Sequence, residues 1–281
     1  MKTYQEHLKA HLARYKSEVL GVTESGIARQ QQRPYEHLLP ESLSLLNILS
    51  PYRDAFDAYL DEHAEISLHG GFHHLNSSQA MCFNLFFGFF TGPERDQLIL
   101  LEALRLPATV VDWAFEKVLQ DNEQTNFDFY IDHGDAGQTC FELKLSENNF
   151  GTCADDERHR AKLAEIYRPG LEGWLPENFL TPPFFFANYQ IMRNVFYADA
   201  DLPRRIVFLH PHANEQLRSS EPLIRDLSDR ADDGLIRSIY LEDLCDTLAE
   251  RETDLSATAR EALSEFRTKY LPAELAAPSR T

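Results

Sequence analysis

The stretch NFDFYIDHGDAGQTCFELKL (126–145) sets Asp128 in one alternating run and Glu142 and Lys144 in the next. Two carboxylates held close together repel, and they do not both stay ionised without a cation between them. Mg²⁺ takes oxygen ligands and is held by one or two carboxylates, waters and substrate phosphates. Mn²⁺ accepts a similar oxygen set and substitutes for it. A lysine beside such a pair positions or deprotonates a water and neutralises charge developing in the transition state. The reaction this set of residues suits is metal-assisted hydrolysis of a phosphodiester.

For those side chains to meet, the two runs must pair as strands. Residues two apart on a strand share a face. Phe127, Phe129 and Ile131 then point one way and Asp128, Tyr130 and Asp132 the other, while Cys140, Glu142 and Lys144 share a face of the second strand. The break HGDAGQ supplies turn residues. In an antiparallel hairpin centred on Asp135, Asp128 falls opposite Glu142, and Lys144 is the next residue along that face. A plainer explanation exists for the same residues: a cross-strand ion pair on an exposed sheet face.

The elements around the hairpin follow from periodicity. Helical spacing marks 4–20 and resumes at 54–63, with ARQQQRPYEHLLPES read as a loop between them. Ser77 or Ser78 caps an apolar helix ending near Phe90, before Gly92-Pro93, and a further helix covers 94–105. WAFEKVLQ has strand composition, so three closely spaced strands follow the helical start. ADDERHRAKLAEIYR (154–168) and FFANYQIMRNVFYA (185–198) read as helices, RRIVFLHP (204–211) as a central strand, and SIYLEDLCDTLAE as a short strand and a helix. The order is αβββαβ, which fits an α/β (α+β) mixed sheet covered by helices on both faces.

Asp128, Glu142 and Lys144 in that element order resemble the PD-(D/E)xK nuclease superfamily, whose fold is restriction-endonuclease-like. Asp128 matches the metal-binding aspartate of the second core strand, and Glu142 and Lys144 match the ExK of the third. TNFD stands where the superfamily's named proline would be. NSSQAMCFNLF, ELKLSENNFG and NYQIMRN resemble a bacterial, mostly uncharacterised subfamily, extending the likeness over about residues 70–210. The resemblance implies a nuclease-like core over 70–211 of a single domain, a helical extension over 1–65 and a strand and helix extension over 212–281. It implies Mg²⁺ as cofactor, Asp128 and Glu142 as metal ligands with Glu147 adding a carboxylate, and Lys144 as the residue that positions the water. It puts Gln79, Asn84, Gln190 and Arg193 near the site or substrate. Nucleic acid, DNA foremost, is the implied partner, and many double-strand cutters of this fold pair their subunits, so a homodimer is among the expected assemblies.

Composition weighs on both sides. The 281 residues are 43% hydrophobic with nineteen phenylalanines, enough for a sizeable core. A formal net charge of −18 repels polyanions over most of the surface. Nucleic-acid binding therefore needs a local basic groove or bridging cations. Arg158 and Lys162, with Arg160, are candidates for a phosphate-facing patch, or else a solvated helix face. The charge equally favours a catalytically inactive nuclease-fold protein acting through protein contacts. The cysteines, Cys82, Cys140, Cys153 and Cys245, include no CxxC pair, and His69, His73 and His74 lack an acid or cysteine at ligand spacing, so neither set suggests a zinc site. The first residues do not read as a signal peptide and AMCFNLFFGFFTG is too short to span a bilayer, so a cytoplasmic location without membrane contact is expected.

Overall fold

The computed structural model describes residues 3–120, 125–199, 202–231 and 234–275. In chain order its elements are α1 (Tyr4–Glu18), β1 (Gly26–Ala28), β2 (Arg33–Tyr35), α2 (Arg53–Glu62), α3 (Ser78–Thr91), α4 (Glu94–Ala103), β3 (Asp112–Val118), β4 (Asn126–Asp132) and β5 (Gln138–Leu143). Then come α5 (Glu157–Lys162), α6 (Arg168–Leu171), α7 (Pro182–Ala187), α8 (Tyr189–Val195), β6 (Arg204–His210), α9 (Glu215–Arg218), α10 (Glu221–Arg230), β7 (Ile236–Tyr240), α11 (Leu241–Glu250) and α12 (Ala257–Tyr270). The αβββαβ order is present in α4, β3, β4, β5, the helices α5–α8 and β6.

The chain forms two compact units, one of residues 1–108, 210–215 and 240–281, the other of 109–209 and 216–239. These cut across the expected boundaries at 65, 70 and 211. The helix at 78–91 groups with the terminal segments, and the segment 216–239 groups with the sheet.

The first unit is built on α3. Its sequence is apolar all round, which marks a helix meant for burial on every side, and residues 79–90 are all buried. Ser77 caps it, its hydroxyl accepting from Ala80 N at 3.3 Å. At Gly88 a β-carbon would lie 1.8 Å from the Tyr52 ring, so glycine is what lets the ring in. The segment read as a loop before residue 40 instead forms the antiparallel pair β1–β2, Gly26 opposite Tyr35.

The second unit contains a five-stranded sheet in the order β3-β4-β5-β6-β7. β3, β4 and β5 are an antiparallel meander, and β5 pairs parallel with β6. Tyr130, Cys140, Ile206 and Phe208 pack in one apolar cluster with Tyr167, Ile191, Met192 and Val195. The opposite face is buried as well, with Phe129, Phe141 and Val207 at 0% exposure. The helix expected at 185–198 is two, because Asn188 leaves helical geometry at φ −123°, ψ 29° and separates α7 from α8. Between α5 and α6 the backbone widens into a π-turn at Leu163–Tyr167, and Tyr167 is fully buried. The polar break expected at 121–125 lies almost entirely outside the described residues, as do residues 276–281 of the C-terminal tail.

Candidate active site

The hairpin that carries the two carboxylates has the register the spacing implies. Phe129 pairs with Phe141, Tyr130 with Cys140 and Asp132 with Gln138 around a tight turn at Gly134–Ala136. Gly137 closes that turn at φ +92°, where a β-carbon would sit 1.9 Å from Pro203 O. One residue beyond the Phe129–Phe141 pair, the Asp128 side chain takes over from the backbone ladder: its Oδ2 accepts from Leu143 N at 2.6 Å. Asp128 is thereby fixed against β5 beside Glu142.

Glu142 is only 1% exposed. The exposed sheet face offered by the plainer explanation is therefore absent; helices of the second unit cover it. A carboxylate so buried needs partners on both oxygens. Oε1 accepts from Gln190 Nε2 at 2.6 Å and pairs with Lys144 Nζ at 2.8 Å, and Oε2 accepts from Asn194 Nδ2 at 3.0 Å. Gln190 and Asn194 are four apart on α8, which puts both amides on one helix face.

The electrostatics follow from that crowding. Burial, and then the Glu142 charge, push the Asp128 carboxyl well above the usual carboxylate range, and Lys144 only partly offsets them. Burial alone would draw Lys144 down, but Glu142, Asp128 and Glu147 outweigh it and hold the ammonium charged. Glu147 curls back on its own turn, its Oε2 accepting from Leu145 N at 2.7 Å and Ser146 N at 2.8 Å.

One carboxylate escaped the sequence reading. The register of β3 against β4, Phe115 opposite Phe129 and Lys117 opposite Phe127, sets Glu116 opposite Asp128. Glu116 holds a left-handed backbone at φ +53° and accepts a short hydrogen bond from Asn126 Nδ2. Its charge raises the Asp128 carboxyl further. The longer polar break between β3 and β4 hides that register in the sequence.

Other expected residues have partners of their own. Gln79 bonds the His69 N–H at 2.8 Å and Ser67 O at 2.9 Å, and Asn84 ties Leu49 N, Asn47 O and Tyr270 Oη. Both amides are committed within the first unit. Arg193 lies over the Tyr189 ring at 5.6 Å from its centre, and its buried Nε meets no hydrogen-bond partner. On α5, Arg158 is exposed and Lys162 half-buried. Ion pairs at that helix include Arg160–Asp155 and His159–Asp156.

Among the described residues, no group of three or more His, Cys, Asp or Glu side chains is arranged to hold a metal ion. The donors at Asp128 and Glu142 nonetheless suit a hard cation: all are oxygens, and the pair is destabilised by mutual repulsion that a cation would relieve. A further oxygen, Asn194 Oδ1, is buried without a hydrogen-bond partner next to the amide that holds Glu142.

Residues 9–271 match the family described as "Restriction Endonuclease associating with ARP". The chain belongs to that family. No curated protein and no solved structure matches it. For a member of this restriction-endonuclease family, the mixed sheet with its αβββαβ order is the restriction-endonuclease-like fold, and family membership suggests nuclease activity. No helix among the described residues is long and apolar enough to cross a membrane.

Proposed function

We propose that the chain is a Mg²⁺-dependent nuclease that hydrolyses phosphodiester bonds, with DNA as substrate and Mn²⁺ able to substitute. The observation that carries this reading is the buried Glu142–Lys144 pair set against Asp128, whose carboxyl is raised by burial and by Glu142. So costly a grouping of charges in a protein interior is typical of a functional site rather than a stabilising one. Asp128 and Glu142 would hold the cation, with Glu147 adding a carboxylate. When bound, the ion would polarise a phosphoryl oxygen and lower the pKa of a coordinated water.

The rest is work for the chain's own side chains. Lys144, charged and held by Glu142 Oε1, would orient the attacking water and neutralise charge gathering on the phosphoryl group. Gln190 and Asn194 would act as positioning residues, fixing the rotamer of Glu142 through one hydrogen bond to each oxygen. Arg193, stacked on Tyr189 one helical turn beyond Gln190, would meet a substrate phosphate. A protein of net charge −18 needs such local cations to approach DNA. Arg158 and Lys162 on α5 would add to them.

A second reading has its own observation. Both oxygens of Glu142 have protein donors as partners. This supports a non-catalytic member of the fold that acts through protein contacts, the ARP of the family description being the partner to test. Cleavage of DNA in Mg²⁺ by wild type, Glu142→Gln and Lys144→Ala separates the readings. The nuclease reading predicts loss of at least about a hundredfold in rate in each variant, assayed at a temperature where both remain folded. Full activity in either variant contradicts it.

A further inference from the structure

The NNFG segment that follows Glu147 has no part in the chemistry above, yet it builds a second feature next to it. A cavity of 230 Å³ opens between this loop, the α7–α8 junction and the start of α10. Its polar lining includes Asn149, Thr152, Asn188 and Ser220, and its apolar lining includes Phe150 and Ile191. All of its lining residues are uncharged. Phe150 and Ile191 are 2% and 1% exposed, and an edge contact to Phe208 at 5.3 Å fixes the Phe150 ring. Asn188 gives one amide hydrogen to Phe184 O at 3.0 Å, and Ser220 stands at the start of α10 without capping it. Hydrogen-bonding groups therefore line an apolar floor.

The cavity is coupled to the active site through one residue. Gly151 O accepts from Gln190 N at 3.2 Å, and Gln190 Nε2 holds Glu142 at 2.6 Å. Gly151 itself, at φ +128°, lies so close that a β-carbon would come 2.7 Å from Gln190 Oε1. The cavity wall and the carboxylate thus bracket the same glutamine.

We propose that this cavity receives an unstacked nucleobase of the nucleic-acid strand cut at the Asp128–Glu142 site. The proposal rests on the nuclease reading for the source of the base and adds to it the state of the substrate. A neutral lining suits a base rather than a phosphate, and side-chain amides and hydroxyls around an apolar floor are how proteins read the edges of a base taken out of its stack. Unstacking costs least where the base is already unpaired, so the substrate is single-stranded or locally opened at that nucleotide.

The test is binding, with cleavage left out of the readout. The full-length chain, free of divalent ions and at low ionic strength, is titrated with single-stranded oligonucleotides carrying one abasic position each, and with a free nucleoside. 2-Aminopurine emission reports on the base. One abasic position should weaken binding roughly five- to hundredfold, and Ser220→Phe, which fills the cavity from its rim, should erase that difference without lowering the unfolding temperature. Asn149→Ala, at an exposed position, should reduce it. A free nucleoside that binds and is lost in Ser220→Phe, with no abasic effect, would keep the base and replace the strand by a free nucleoside as its source. Equal binding of intact and abasic strands with no nucleoside binding, or no binding of any oligonucleotide, overturns the proposal. No cleavage by wild type in the separate Mg²⁺ assay, with the base preference intact, would sink only the nuclease reading.

Discussion

Asp128 is the residue at which the proposed function and stability pull apart. In the unfolded chain it ionises near the ordinary aspartate value of 3.8, whereas the fold holds its proton to higher pH, chiefly through burial and the Glu142 charge. A carboxyl whose folded pKa is raised contributes stability that is full below 3.8 and is lost as pH rises through the folded value. At neutral pH the metal-free protein therefore bears a penalty. Asp128→Asn keeps an oxygen to accept from Leu143 N and removes the charge. Its unfolding temperature in chelator at pH 7 should exceed that of wild type by a few degrees, with the gap closing towards pH 4. A variant less stable than wild type at pH 7 would show that the Asp128 charge is needed by the fold. The acids Asp128 and Glu142 were legible in sequence because a constant-sum register and a glycine turn determine who faces whom. Glu116 was missed because its strand is separated from the hairpin by a longer polar break, which hides its register.

At the scale of elements, the site depends on α8 and the loop that leaves β5. The sequence marks 185–198 as helical but does not reveal that Asn188 divides it, nor that the second piece turns Gln190 and Asn194 onto Glu142. That placement comes from tertiary packing of Ile191, Met192 and Val195 against the sheet, which periodicity within one segment does not encode. Likewise α10 and α12 went unread although Ser256 caps α12, its hydroxyl accepting from Ala259 N at 3.2 Å. The loop yields a sharp expectation. Gly151→Ala adds a β-carbon 2.7 Å from Gln190 Oε1 at a backbone angle that L residues rarely adopt. It should displace Gln190, lower the cleavage rate about tenfold or more by loosening Glu142, and lower the unfolding temperature by several degrees. Steady-state kinetics beside thermal unfolding reads both effects. Unaltered kinetics would mean that Gln190 does not position Glu142.

At the scale of the whole molecule, two compact units each carry a buried polar network, and only one of them belongs to the proposed chemistry. In the first unit Lys269 is fully enclosed, its Nζ bonded to Asn47 O at 2.5 Å and Asn47 Oδ1 at 2.7 Å, with Tyr15 and Tyr270 over it. Burial pushes its pKa down to about 7, against the pull of Glu265. A lysine depressed in this way contributes stability that is full above its ordinary value of 10.5 and is lost as pH falls towards 7. Wild type should therefore gain stability between pH 7 and 10, and Lys269→Met should flatten that rise in chemical denaturation at several pH values. Parallel curves for the two proteins would place the pH dependence elsewhere. Asn84 belongs to this network, which gives a polar residue in an otherwise apolar helix its hydrogen-bond partners. The net charge of −18 leaves the nuclease reading dependent on cations at one place.

That dependence makes metal binding the most direct test of the central claim. Mn²⁺ takes the same kind of oxygen ligands as Mg²⁺ and generally binds more tightly. Calorimetric titration of Mn²⁺ into wild type and Glu142→Gln, with and without a phosphorothioate oligonucleotide that resists hydrolysis, reads the site itself. The account predicts binding by wild type that is lost in Glu142→Gln. Equal binding by both proteins, or none by wild type even with the oligonucleotide present, would contradict it.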